Sequence, residues 1–274
     1  MKQPTNISLP RSAQLPINHC NLPAPILGGL TFQSHPVPLL LDGVLTLHAR
    51  FFKQLEQTDD ARQRARIFTD YMSVQFRLHA LDDAGYDINN QNARPRANYL
   101  KILEGWLFDT NQREGAILKG WVESRFGLLP RWHNGPIRSV DDEQYYCFQQ
   151  QHCAGLYNTN ALEAQLDLLY TYTQYELHRQ RPEETHLHLY RGVNHSSEYE
   201  LLQEDNNQKI ILFNNLNAFS SNRERADEFG DNVITTNVPL SKIFFYWQLL
   251  PGRHVGESEF LVIGGLYRCQ FVRD

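Results

Sequence analysis

Apolar residues recur every third or fourth place from about residue 48 to 181, then in short alternating or continuous runs from about 186 onward. The first rhythm predicts helices. HARFFKQLEQT opens it, and in DDARQRARIFTDYMSVQFRLHA the residues Ile67, Tyr71, Val74 and Leu78 share one stripe with charges between them. NYLKILEGWLFD and EGAILKGWVESRFG continue it. A longer helix carries Leu162, Leu166, Leu169 and Tyr170, with Asn160 as its cap and Glu163 in its first turn, and stops near Arg181-Pro182.

The second rhythm predicts strands. HLHLYRG, KIILFN, NVITTNV, SKIFFYW, EFLVIGG and LYRCQFV are rich in Val, Ile, Phe and Tyr and are punctuated by Gly, Pro and Asn. One short helix interrupts them, NRERADEFG, with Ala226 and Phe229 on one face. Helices followed by strands give an α+β fold with an antiparallel or mixed sheet in the C-terminal third. Residues 1–47 are proline-rich but interrupted by apolar residues, which predicts an ordered irregular arm on the body. The organisation expected is an arm over 1–47, a helical region over 48–182 and a strand-rich core over 183–274, forming one compact unit.

Composition narrows the function. With 41% hydrophobic and 21% charged residues in 274, the chain can bury a large core, which excludes global disorder. A net charge of −5 without a basic stripe argues against nucleic acid as partner. No run is long and apolar enough to span a bilayer, and the first twenty residues lack the apolar stretch of a signal peptide, so a cytoplasmic protein is expected. Cys20, Cys147, Cys153 and Cys269 are scattered, without metal-ligand spacing. His186 and His188 alternate along a strand, which places them on one face rather than arguing for a metal.

Three places carry chemistry. Tyr190-Arg191-Gly192 ends a predicted strand, where an arginine followed by glycine can present its planar fork to a phosphate. Phe219-Ser220-Ser221 precedes a short helix; its hydroxyls can cap that helix, hold a ribose or amide, or do both. Glu257-Ser258-Glu259 opens a late strand, where side chains at i and i+2 face the same side. Paired acids suit a reaction through an oxocarbenium-like sugar, one stabilising the cation and the other taking a proton from the nucleophile. Singly, each has an ordinary reading as an ion-pair partner, a helix cap or solvated acids.

Their order is the pattern of the arginine-specific ADP-ribosyltransferases. NLPAPILGGLTFQSHPV, LKGWVESRFGLLPR, GLYNTNALEAQLDLLYTYTQYEL, LYRGVN, NNLNAFSSNRERADEFGD, PLSKIFFYWQLLPG and GESEFLVIGG resemble segments of the dinitrogenase reductase ADP-ribosyltransferase family, from about residue 20 to 268. The resemblance implies a C-terminal split-sheet core with NAD⁺ bound in its cleft and no metal. It implies that Arg191 binds the diphosphate, flanked by Tyr190 and Gly192, and that Ser220 or Ser221 positions the carboxylate. Phe219 or Phe229 supplies a flat contact to NAD⁺. Glu259 holds the ribose 2′-hydroxyl and stabilises the oxocarbenium, and Glu257 orients and deprotonates the target arginine. The loop 248–256 meets the target, with Arg253 or His254 recognising an acidic patch. The target implied is dinitrogenase reductase, whose modification switches nitrogenase off, and control in the family comes from a P-II-type nitrogen signalling protein. One departure stands out: the general pattern is Ser-Thr-Ser after an aromatic, whereas this chain has Ser220-Ser221-Asn222. The rival readings are an NAD⁺ glycohydrolase, a transferase with another target, or a non-catalytic binding module on the same fold. A glycosidase fits poorly, because its two carboxyls flank the sugar about 5 Å or more apart.

Overall fold

A computed structural model describes residues 7–78, 98–156, 160–194, 199–205, 208–250 and 259–272. The helices are α1 (Ala24–Leu27), α2 (Leu30–Ser34), α3 (Val44–Leu47), α4 (Ala49–Glu56), α5 (Ala61–Gln75), α6 (Tyr99–Phe108), α7 (Arg113–Phe126), α8 (Glu143–Gly155) and α9 (Ala161–Gln180). The strands β1 (His186–Val193), β2 (Glu200–Asp205) and β3 (Gln208–Ser220) follow, then the short α10 (Arg223–Asp227), β4 (Asn232–Pro239), β5 (Ile243–Tyr246) and β6 (Glu259–Val272). The α+β reading holds. The strands form one antiparallel sheet in the order β2-β3-β1-β4-β6-β5, and a further pairing of β3 with β6 closes β3, β1, β4 and β6 into a ring.

Helix α5 buries a stripe different from the one its sequence suggested. Ala65, Phe68 and Met72 face inward with Arg64, while Ile67 and Tyr71 are partly buried and Val74 is 80% exposed. Leu78 lies beyond the helix end. The cause is Arg64: its guanidinium grips both oxygens of Glu176 on α9 at 2.6 and 2.8 Å and bonds the carbonyls of Thr58 and Asp59. A buried arginine with a bidentate carboxylate can sit on an inner face that charge alone would assign to water. Asp60 caps α5, accepting from Arg62 N at 3.0 Å.

Helix α9 buries Leu162, Leu166, Leu169 and Tyr170 as its pattern predicts. Its tyrosine hydroxyl donates to Ser241 O at 2.8 Å and its Gln174 to Ile243 O at 2.7 Å, which lays it along β5. Asn160, however, has helical backbone angles and caps nothing with its side chain. Helix α7 is buried on nearly every side from Gly115 to Glu123, so it serves as a central post rather than an amphipathic cover.

The sheet differs from its sequence reading in three ways. The runs EFLVIGG and LYRCQFV are one strand, β6, passing straight through Gly264 and Gly265. KIILFN continues through NNLNAFS as β3, with a bulge between Phe213 and Leu216. The polar stretch of β2 pairs on the outer side of β3. The asparagines that disguise β3 are buried and bonded: Asn215 Nδ2 donates to Lys119 O at 2.7 Å and Leu128 O at 3.0 Å, and Asn214 Oδ1 accepts from Arg131 N at 2.8 Å. The bulge therefore fastens α7 and the segment after it to the sheet.

Residues 7–47 carry three short α-helices and a 3-10 turn, and contact the sheet through Gln33, which donates to Thr236 Oγ1 at 2.9 Å and accepts from Arg268 N at 2.8 Å. One apolar cluster runs from Leu9 through the helices to Cys269. All four cysteines are free.

Gly264 marks the closest approach of β3 and β6, since a β-carbon there would lie 1.7 Å from Asn214 O. Gly264→Ala must push the two strands apart at the bulge, a cost of about 3 kcal/mol or more. Thermal unfolding should drop by roughly 10 °C, and a melting point within a degree or two of wild type would contradict this account of the crossing.

Candidate active site

Register alone brings the three predicted places together. Ser220, the last residue of β3, pairs with Tyr190 of β1 on one side and with Glu259, the first residue of β6, on the other. Arg191, Ser220 and Glu259 thus stand on three laterally adjacent strands although they lie far apart in sequence. Strand β1 runs two residues past Arg191, to Val193. Helix α10 turns back against it, with Ala226 O where a β-carbon on Gly192 would fall, at 2.1 Å. Glycine at 192 is what lets that helix lie against the site.

Arg191 is half-buried. Its Nη1 donates to Ala218 O at 2.7 Å, and its guanidinium lies 6.0 Å from the centre of the Phe219 ring. Phe219 is buried, packed edge-on against Phe213 at 5.6 Å, so its ring supports Arg191 from below. Ser220 is buried and Ser221 exposed. Ser220 Oγ accepts from Asn222 N at 3.0 Å, and the cap of α10 is Asn222, whose Oδ1 accepts from Arg225 N at 3.3 Å. The hydroxyls are thus not the helix cap.

Burial raises the Glu259 carboxyl to about 7, against the pull of Arg191 and Arg225, which favour its ionised form. Both cations therefore act on the same carboxylate. Arg225 went unnoticed in the sequence, where NRERADEFG reads as a solvated helix. It ion-pairs with Glu228 and lies 5.2 Å from the Phe229 ring. Phe229 itself is 63% exposed and outside α10, so it shares no buried face with Ala226. Tyr190 is half-buried and edge-on to His188 at 5.2 Å. Glu257, Arg253 and His254 lie outside the described residues.

The cleft has a second wall that the sequence did not announce. Arg191 and Ala218 line a pocket of about 100 Å³ together with Trp106 of α6, Asn111, Lys119 of α7 and Asn217 of β3. Lys119 has no exposed surface, and burial lowers its ammonium to about 7, Asp109 opposing and Arg191 adding to the effect. In the sequence it is one of several charged residues in EGAILKGWVESRFG, and no local signal sets it apart.

His186 and His188 have ordinary partners: His186 Nε2 meets Gln33 O at 2.5 Å, and His188 bridges Thr235 Oγ1 at 2.8 Å and Asn237 Oδ1 at 3.0 Å. Among the described residues, no group of three or more His, Cys, Asp or Glu is placed to share a metal ion. No helix among them is long and apolar enough to cross a membrane.

Residues 17–271 match the family model for dinitrogenase reductase ADP-ribosyltransferase. The chain is also similar to a Rhodospirillum rubrum protein named NAD(+)--dinitrogen-reductase ADP-D-ribosyltransferase, with 37% identity over 262 residues, covering 91% of this chain and 92% of that relative. No solved structure matches the chain. A match running from the proline-rich arm to the end of β6 spans every strand that builds the cleft, and the chain belongs to the dinitrogenase reductase ADP-ribosyltransferase family.

Proposed function

We propose that this protein transfers ADP-ribose from NAD⁺ to an arginine of dinitrogenase reductase and thereby switches nitrogenase off. Family membership carries the reaction and its protein substrate. The observation that carries the site is the register that sets Ser220 between Tyr190 and Glu259, beside Arg191. In this reading Arg191 holds the diphosphate, with Tyr190 and Gly192 shaping the strand around it. Ser220, the buried hydroxyl in register with Glu259, positions that carboxylate, while Ser221 faces outward. Phe219 braces Arg191, and the exposed Phe229 lies free to contact the flat end of NAD⁺.

The chemistry balances without a metal. The bond from the ribose C1′ to the nicotinamide nitrogen breaks, and the electron pair neutralises a ring that was cationic, so the leaving group needs no Lewis acid. Positive charge develops on the sugar, where ionised Glu259 stabilises it. A guanidino nitrogen of the target bonds to C1′ from the opposite face, and Glu257 takes the proton that the guanidinium gives up. An arginine is otherwise a poor nucleophile because it is fully protonated. Arg253 and His254, just before Glu257 in sequence, meet the target surface. The arm, helices and sheet act as one compact unit, as their shared apolar cluster supports. Control by a P-II-type nitrogen signalling protein and a cytoplasmic setting belong to the same proposal.

Purified protein mixed with labelled NAD⁺ and dinitrogenase reductase should label the target, and Glu259→Gln should reduce the transfer rate about a thousandfold. Glu257→Gln should lose transfer but keep nicotinamide release. Release without transfer by the wild type would instead favour the NAD⁺ glycohydrolase reading, and neither activity would favour a binding module. The pH dependence follows from the raised carboxyl of Glu259. Its ionised form is the active one, so kcat/KM for NAD⁺ should rise about tenfold per unit from acid pH and level off above about 7. A profile flat between pH 5.5 and 7, on the order of the window that a carboxyl at 7 must dominate, would remove Glu259 from this role.

A further inference from the structure

Lys119 lines the pocket beside Arg191 but asks for no anion there, because Trp132 O, His133 Nδ1 and Asn111 Oδ1 surround its Nζ at 3.0, 3.3 and 3.4 Å. What the lining leaves unused is neutral. Asn217, only 4% exposed, donates through Nδ2 to Asn214 O at 2.7 Å, and among the described residues no donor meets its Oδ1. Asn111 Oδ1 accepts from Asn134 N at 3.2 Å as well as from Lys119, and among the described residues its Nδ2 donates to nothing. The Thr110 hydroxyl is unspent in the same sense. Trp132 is half-buried. Its backbone is bonded to Lys119 and Asn214, but among the described residues its ring packs on no other aromatic ring. All four residues line the same pocket.

A flat face with an acceptor and two donors around it suits the edge of a heteroaromatic base, which carries both kinds of group. The volume of about 100 Å³ is well below the ~300 Å³ of a pocket that encloses a whole drug-sized ligand, so it takes one ring system and leaves the sugar outside.

Direction along the sheet says which ring. The pocket residues of β3, from Ala218 back to Asn214, run away from Ser220 and its partner Glu259. At about 3.3 Å per residue they lie roughly 7 to 20 Å from that pair. Nicotinamide is bonded to the ribose carbon that Glu259 serves, so its ring stays beside Ser220 and Glu259. Arg191, whose Nη1 donates to Ala218 O at 2.7 Å, stands between that pair and the pocket. A dinucleotide with its reacting ribose at Glu259 and its diphosphate at Arg191 brings its other base to the pocket. We propose that the pocket between the α6–α7 turn, Trp132 and β3 is the adenine subsite for NAD⁺. Trp132 stacks on the base, Asn217 Oδ1 accepts from its 6-amino group, and Thr110 and Asn111 donate to its ring nitrogens. This rests on the reading of Arg191, Ser220 and Glu259 as the NAD⁺ site, and it makes the helical region the part that selects the nucleotide.

ADP-ribose carries the adenine and lacks nicotinamide, so calorimetry of its binding separates this subsite from the nicotinamide end. Trp132→Ala keeps the backbone bonds at that position and should bind ADP-ribose about tenfold to a hundredfold more weakly. Trp132→Phe restores a flat ring and should recover most of the loss. In turnover the KM of Trp132→Ala for NAD⁺ should rise by more than kcat falls. A second measurement needs no variant. Inosine diphosphate ribose replaces the 6-amino donor by a carbonyl acceptor and the acceptor at ring position 1 by an N–H, and the wild type should bind it about tenfold more weakly than ADP-ribose. Wild-type affinity for ADP-ribose in a folded Trp132→Ala, or equal affinity of the wild type for the two ligands, overturns the proposal and leaves the Arg191–Ser220–Glu259 site standing. A wild type that binds no ADP-ribose overturns both.

Discussion

The long antiparallel ladder between β3 and β6 fixes everything else in the molecule. It pairs Lys209 with Cys269 at one end and Ser220 with Glu259 at the other, with a single bulge between Phe213 and Leu216. Because side chains alternate with period two, slipping this ladder by one residue would turn Glu259 away from the cleft. The bulge sets how the two strands cross, and Gly264 is the residue that lets Asn214 O pass close to β6. The same bulge sends Asn215 to the carbonyls of Lys119 and Leu128, so one irregularity in one strand sets both the sheet register and the place of α7.

The cleft that results is an electrostatic sequence. Glu259, Arg191 and Lys119 follow one another from the start of β6 to the interior of α7, and burial works on Glu259 and Lys119 in opposite chemical directions. It raises the carboxyl and lowers the ammonium, each to about 7. Desolvation penalises whichever form is charged, so an empty cleft near neutral pH holds less fixed charge than its residue list suggests.

Much of this was legible in the sequence, for identifiable reasons. The stripe Leu162, Leu166, Leu169 and Tyr170 was readable because an entire helix face meets apolar partners. The convergence of Arg191, Ser220 and Glu259 on adjacent strands was readable through their order along the chain. The failures have a common cause: polar residues used internally. Arg64 was counted as solvent-facing because Glu176 lies 112 positions away and cannot be paired with it by inspection. Asn214, Asn215 and Asn217 looked like a turn and are the bulge and continuation of β3. Gly264 and Gly265 looked like a strand end and are a crossing. Lys119 and Arg225 gave no local signal, because their significance comes from strands distant in sequence.

The contrast between two buried lysines shows why burial alone does not make a site. Lys242 is as buried as Lys119, and its ammonium is likewise lowered to about 7. Its Nζ, however, donates to Gly264 O at 2.7 Å and rests against the rings of Tyr267 at 4.6 Å and Phe32 at 5.7 Å. Every one of those neighbours offers electron density to a cation, and they hold the arm, β6 and the turn before β5 together. That lysine is satisfied where it is. Around Lys119 the acceptors are of another kind: Trp132 O at 3.0 Å, His133 Nδ1 at 3.3 Å and Asn111 Oδ1 at 3.4 Å surround its Nζ, one for each N–H, and they tie α7 to the segments before and after it. In both places the acceptor is the protein itself, so each lysine is a structural tie between elements distant in sequence.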